Sequence, residues 1–195
     1  MAASPTSARW EDLVIANGHA ARVPPGGASF KQRPVLMRNI ELGGDHPFKD
    51  VTATAGDFFK TSMLGRGLVV GDLDNDGFPN LVITRISEGV AILRNEAAGK
   101  DKSNGWLGVK LVGRRNCDIV GSTVTLEGGP QALTRFAKGG GSYLSASDSR
   151  MLFGLGRATQ AWRVTVKWSW GETQSWDNLK PGRYWELREG DPVER

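Results

Sequence analysis

Asp72, Asp74 and Asp76 stand at alternate positions in the stretch Asp72-Leu73-Asp74-Asn75-Asp76-Gly77-Phe78-Pro79-Asn80. Carboxylates at that spacing, closed by a glycine, suit the capture of a hard cation, and Ca²⁺ takes about six to eight oxygen ligands. The three aspartates would supply side-chain oxygens, Phe78 its backbone carbonyl and Asn80 its amide oxygen. Gly77 lets the chain turn sharply through positive φ. Pro79 biases Phe78 toward extended backbone, which helps fix its carbonyl. Three acids packed this tightly repel one another without a cation. The plain alternative is an Asp/Asn/Gly-rich hairpin turn with no metal.

The flanks decide what kind of loop this is. An EF-hand needs a glutamate at its twelfth position and helices on both sides. Ile83 occupies that position here. Gly67-Leu68-Val69-Val70 before the loop and Leu81-Val82-Ile83-Thr84 after it are short, β-branched apolar runs, and both are predicted as strands. The arrangement is strand, loop, strand.

Other chemistry finds little support. Ser142, Ser145, Ser147 and Asp148 lack a nearby base, since the histidines, His19 and His46, lie in the other half of the chain, and acyl transfer needs one. Glycoside hydrolysis wants two carboxyls facing each other about 5–9.5 Å apart across a bond, which three acids in one tight loop do not offer. Gly139-Gly140-Gly141 precedes no helical period, so it is a turn and not a phosphate cradle. Cys117, the single cysteine, rules out an intrachain disulfide and a thiolate zinc site. It is expected to be a small half-buried residue. The chain is therefore not expected to be an enzyme.

The elements that must position the loop come from the rest of the chain. It has 195 residues, with 39% hydrophobic, 24% charged and 26 glycines, which fits many short strands joined by tight turns. No run reaches the ~20 apolar residues of a membrane-spanning helix. Met1 to Trp10 is polar and lacks the apolar core of a secretory signal. The net charge of +4 is scattered, and Arg114-Arg115 sits at a predicted turn, so nucleic acid is not an expected partner.

Two internal parallels organise the first half. Leu13-Val14-Ile15-Ala16, preceded by Asp12, resembles Leu81-Val82-Ile83-Thr84, preceded by Asn80. Val35-Leu36-Met37-Arg38-Asn39 resembles Ala91-Ile92-Leu93-Arg94-Asn95. The spacing, about 55–70 residues, approaches that of propeller-type arrays. Residues 20–34 read as a long loop, Phe48 to Thr52 as a short strand, and 97–105 as a polar linker. Beyond it, Trp106–Val112, Val120–Leu126, Gln131–Phe136, Arg150–Gly156, Val164–Trp168, Gln174–Trp176 and Tyr184–Leu187 are predicted strands of a compact all-β module. Trp162, Trp168, Trp170, Trp176 and Trp185 concentrate there. Packing inside the module is their plain role, and an exposed aromatic row for sugars or protein anchors is the other.

Phe48-Lys49-Asp50-Val51-Thr52-Ala53, Gly65-Arg66-Gly67, Gly71 to Gly77 and Leu93-Arg94-Asn95-Glu96 resemble the FG-GAP/VCBS calcium-loop repeat, which forms blades of β-propellers. Asn80 stands where that family usually has aspartate. Trp106-Leu107, Gly121, Gly140-Gly141-Ser142-Tyr143-Leu144-Ser145 and Phe153-Gly154-Leu155-Gly156 resemble the ASPIC/UnbV domain, typically found after such repeats. Cys117 and Trp170 depart from its usual pattern. The resemblances imply an all-β chain: a partial β-propeller of about one and a half blades over 1–100, against the roughly four to eight of a closed ring, and a small C-terminal β-sandwich or barrel-like module over 101–195. They imply the C-terminal part of a larger propeller protein that binds Ca²⁺ through Asp72, Asp74, Asp76, Phe78 and Asn80. They also imply an extracellular or cell-envelope setting and a protein or glycan partner. The alternative expectation is an accessory protein that binds carbohydrate or a small molecule.

Overall fold

The computed structural model describes residues 11–20, 25–40, 48–96, 105–158 and 160–191. The polar N-terminal stretch, His46 and most of the expected linker at 97–105 lie outside the described residues. The fold is all-β in several sheets. Two three-stranded antiparallel sheets make up the first half. One is formed by β1 (Leu13–Ile15), β2 (Val35–Asn39) and β3 (Phe48–Asp50), the other by β4 (Gly65–Gly71), β5 (Asn80–Arg85) and β6 (Glu88–Leu93), each in sequence order. A single helical turn, α1 (Asp57–Lys60), follows Gly56 and seats Phe59 in the core. Gly56 takes a φ of 104° at the start of this turn, backbone that glycine adopts without a steric cost.

The two parallels seen in the sequence pair in the same register. Leu13, Val14 and Ile15 face Met37, Leu36 and Val35. Their counterparts Leu81, Val82 and Ile83 face Leu93, Ile92 and Ala91. The counterpart of each residue therefore meets the counterpart of its partner. Val14 and Ala16 pack on Leu68, Leu81 and Ile83, so one sheet lies on the other.

The second half is one module with one core. β7 (Gly105–Val112) is central in a sheet with β10 (Met151–Gly156) and β13 (Arg183–Arg188). β8 (Thr123–Glu127), β9 (Leu133–Phe136), β11 (Trp162–Lys167) and β12 (Thr173–Leu179) form a four-stranded sheet in the order β12-β11-β8-β9. Alternation sends Met151, Phe153 and Leu155 inward from one sheet and Trp162, Val164 and Val166 from the other. Truncating one of the fully buried large side chains, such as Phe153, costs about 3–5 kcal/mol. Trp168 is buried, with its indole N–H on Gln174 Oε1 at 2.8 Å. Trp170 lies past the end of β11 in a turn and is exposed, so alternation does not carry through to it. Cys117 follows a 3-10 turn at Arg114–Asn116 and is exposed, not half-buried as expected. No helix of the described residues is long and apolar enough to cross a membrane.

Candidate metal loop at the joint between the sheets and the C-terminal module

The loop joins β4 to β5, and those two strands fix its ends through the Gly71–Asn80 pair. Asn75 at φ 57° and Gly77 at φ 85° supply the left-handed backbone that curls it. The curl brings one oxygen from each of Asp72, Asp74 and Asp76 within 4.8 Å of the others. Two oxygens on a common Ca²⁺ stand no more than about 5 Å apart at the usual bond lengths. The donor set is all hard oxygen, so the residues present fit the ion.

Backbone donors orient these carboxylates. Asp76 N–H reaches Asp72 Oδ1 at 3.1 Å, Gly77 N–H reaches Asp72 Oδ2 at 2.9 Å, and Phe78 N–H reaches Asp76 Oδ1 at 2.9 Å. Arg94 pairs with Asp74 Oδ2 at 2.8 Å from an exposed position, where such a pair contributes at most about 1 kcal/mol. These contacts lower the repulsion that the sequence alone suggested. A carboxylate offers about four lone-pair sites, so capacity remains on Asp72 Oδ1 and on Asp76.

Asn80 is buried beside the cluster but turns its donor end toward it. Its Oδ1 accepts the N–H of Asn95 at 2.9 Å, and its Nδ2 donates to Asp74 Oδ1 at 3.3 Å. The Asn95 donor fixes which end is which. The counterpart Asp12 does the same job in the first sheet, its Oδ1 accepting the N–H of Asn39 at 2.9 Å. This position is a latch that ties the start of one strand to the end of its neighbour. Phe78 is half-buried between Gly77 and Pro79.

The far side of the loop rests on the C-terminal module, which nothing local in the sequence announced. Trp106 lies against Gly77 so closely that a β-carbon there would be 2.2 Å from its Cδ2. Trp106 in turn meets Tyr184, with ring centroids 5.1 Å apart. Gly108, opposite Tyr184 in the parallel β7–β13 pair, leaves room for that ring. The Tyr184 hydroxyl donates to Asp72 Oδ2 at 2.7 Å. Burial, then the hydrogen bond to the Asp72 carboxylate, pushes the Tyr184 phenol well above its ordinary pKa. Arg150 stacks over the same ring, 4.2 Å from its centroid. It donates to Asp72 O at 2.8 Å and to Asn75 Oδ1 at 2.5 Å. Asp148 holds Arg150 in place. Burial raises the Asp148 carboxyl, but the Arg150 hydrogen bonds outweigh it and leave the group below the usual aspartate range.

The serines take structural parts. β4 has β5 on one side only, and its outward N–H groups at Leu68 and Val70 donate to Ser145 Oγ at 2.8 Å and Ser147 Oγ at 3.2 Å. Asp148 N–H completes the edge on Val70 O at 3.0 Å. Gly67 allows this close approach to Leu144 and Ser145. The glycine run at 139–141 leads into a turn bridged at Ser142 and Ser145, without a helix. His19 lies in a loop and gives its carbonyl to Arg66 at 3.0 Å.

Residues 113–194 match the family model described as ASPIC and UnbV. A comparison with curated proteins gave no match. The ASPIC/UnbV match begins after β7, yet β7 is the central strand of the module's first sheet. The matched residues therefore leave out one strand of the sheet to which β10 and β13 belong. Tyr184, Arg150, Asp148, Ser145 and Ser147 all lie inside the matched residues, and Trp106 lies just before them. A cleft of about 520 Å³ in the module is bordered by Glu127, Arg163, Asp177 and Trp162. Trp162 is buried in the core, so it offers no open ring face to a sugar.

Proposed function

We propose that the chain is a non-catalytic, calcium-binding interaction protein whose metal loop clips an FG-GAP/VCBS-type repeat to its ASPIC/UnbV module. The supporting observation is the double use of Asp72. Its carboxylate belongs to the three-aspartate cluster and also accepts the hydroxyl of Tyr184 from the module. A cation held by Asp72, Asp74 and Asp76, with Phe78 contributing its carbonyl, would stiffen the surface on which Trp106, Tyr184 and Arg150 rest. Ca²⁺ supplies charge neutralisation there and no bond-making chemistry. Asn80 contributes by latching β5 to the residue after β6, which keeps the cluster beside the strand ends. The expected dissociation constant is on the order of 10⁻⁴–10⁻³ M, as in extracellular modules, which suits the calcium-rich surroundings outside a cell or at its envelope.

Calorimetric titration with Ca²⁺ tests this reading on the whole chain and on Asp74→Ala. The expected outcome is a saturating heat for the first and none for the second. Equal heats dismiss the site.

A further inference from the structure

Trp162 opens β11 on the inner face of the four-stranded sheet, with Leu179 of β12 beside it. On the other side Arg163 faces Glu127, so Trp162 comes opposite Gly128. Gly129 follows, and the six-membered ring of the indole fills the room that the two glycines leave. A β-carbon on Gly128 would lie 3.0 Å from Trp162 Cε3, and one on Gly129 2.7 Å from Cη2. The indole N–H is on the ring edge opposite Cε3, turned away from Gly128. Trp162 is only 3% exposed, and its Nε1 has no acceptor among the described residues. A buried donor left unpaired is costly and rare in folded proteins.

Trp162 is also one wall of a cavity of about 210 Å³ between the β8–β9 hairpin and the end of β10. Pro130, Gln131 and Leu133 close it on the hairpin side, and Leu155 and Arg157 on the other. The cleft bordered by Glu127 and Asp177 is a different one and includes Gly128. A cavity of about 150 Å³ is enough for benzene. Apolar walls with a few polar groups at fixed places are the pattern of a small-molecule site. Among the described residues that line this cavity, Arg157 is the one that carries a charge. It is exposed, and no acid among the described residues pairs with it.

We infer that this cavity binds a small organic acid with an aromatic or branched apolar body. The body lies against Pro130, Leu133 and Leu155. One carboxylate oxygen accepts the Trp162 N–H, and the Arg157 guanidinium folds over the mouth onto the other. Indole and guanidinium can only donate hydrogen bonds, so the ligand must bring the acceptors. A guanidinium without an acid of its own selects a carboxylate over a neutral oxygen. No residue of the metal loop lines the cavity, so the inference stands whether or not that loop holds Ca²⁺.

Titration of the isotope-labelled full chain with sodium benzoate, followed through its indole N–H resonances, tests the inference. The Trp162 signal is identified by its loss in Trp162→Phe or, should that variant not fold, by through-space contacts with Leu179. That signal is expected to move downfield and saturate, in calcium and in chelator alike. Benzyl alcohol keeps the ring and lacks the charge, and is expected to bind more weakly. Arg157→Gln, at an exposed position, is expected to weaken benzoate about fivefold, the size of one partly exposed ion pair. Arg157→Lys is expected to restore part of the loss. A Trp162 signal that stays put, or moves without saturating, overturns the inference. So does benzoate binding that Arg157→Gln leaves unchanged, and so does benzyl alcohol that binds as tightly as benzoate.

Discussion

The β1–β2 pair and the β5–β6 pair share register and latch, yet only the second sheet carries the acidic loop. Counting back by the 68 residues that separate Leu13 from Leu81, the positions of Asp72, Asp74 and Asp76 fall on Ser4, Thr6 and Ala8. The first sheet pairs and latches through Asp12 without carboxylates at those positions. Alternating apolar residues and a side-chain oxygen on a backbone N–H therefore suffice to build the sheet. The loop is an addition, and its distinguishing surroundings are Trp106, Tyr184 and Arg150. What separates the copies is the seat of this loop on the C-terminal module, since the first sheet reaches the module through the Glu11–Arg135 ion pair at 3.3 Å.

That contrast is broken most severely at Gly77. In Gly77→Ala, the left-handed backbone costs about 1–2 kcal/mol and the displaced Trp106 about 1–3 kcal/mol more. Denaturant unfolding is expected to show a loss of about 3 kcal/mol. A loss below about 0.5 kcal/mol, the level of an ordinary surface change, would mean that the loop does not rest on the module.

Asn80→Asp gives the second latch the residue that the first already has at Asp12, and its effect is expected to change sign with calcium. In chelator it removes the bond from Asn80 Nδ2 to Asp74 and adds a like charge, for a loss of about 1–2 kcal/mol. In saturating Ca²⁺ the added carboxylate becomes a ligand, and the variant is expected to bind the ion more tightly by calorimetry. An equal loss in both buffers would argue against the metal reading.

The smallest effect is expected in alkali. The folded protein holds the Tyr184 proton more tightly than the unfolded chain does. Its contribution is complete below the ordinary tyrosine pKa of about 10 and falls as pH rises beyond that value. Tyr184→Phe is expected to flatten this decline in a pH series of melting temperatures, and an unchanged slope would remove Tyr184 from the joint.

Much of the scaffold was legible in the sequence because its signals are local. The β-branched run at Leu81–Thr84 and the alternation at Trp106–Val112 pointed to strands, and the repeated Arg-Asn endings at Asn39 and Asn95 pointed to the parallel that the registers repeat. The loop's curl followed from Gly77. The joint was not legible, because Tyr184 and Asp72 are separated by 112 residues and a tyrosine in a strand has no spacing that points to a distant carboxylate. Ser145 and Ser147 raised a question of catalysis, whereas their hydroxyls close the edge of β4. Asn80 was read as a ligand by its position in the loop. The Asn95 N–H that claims its oxygen belongs to another strand's end and leaves no trace in the loop itself.

The parallel pairing of β7 with β13 has a mechanical consequence. These strands open and close the C-terminal module, and they lie side by side in six matched pairs from Leu107–Arg183 to Val112–Arg188. Tension between the start of β7 and the end of β13 pulls the two strands past each other lengthwise. All the hydrogen bonds between them are then loaded together instead of peeling one at a time. The module is built to bear shear along its own chain direction, with Tyr184 and Trp106 at the loaded end, where the loop is attached.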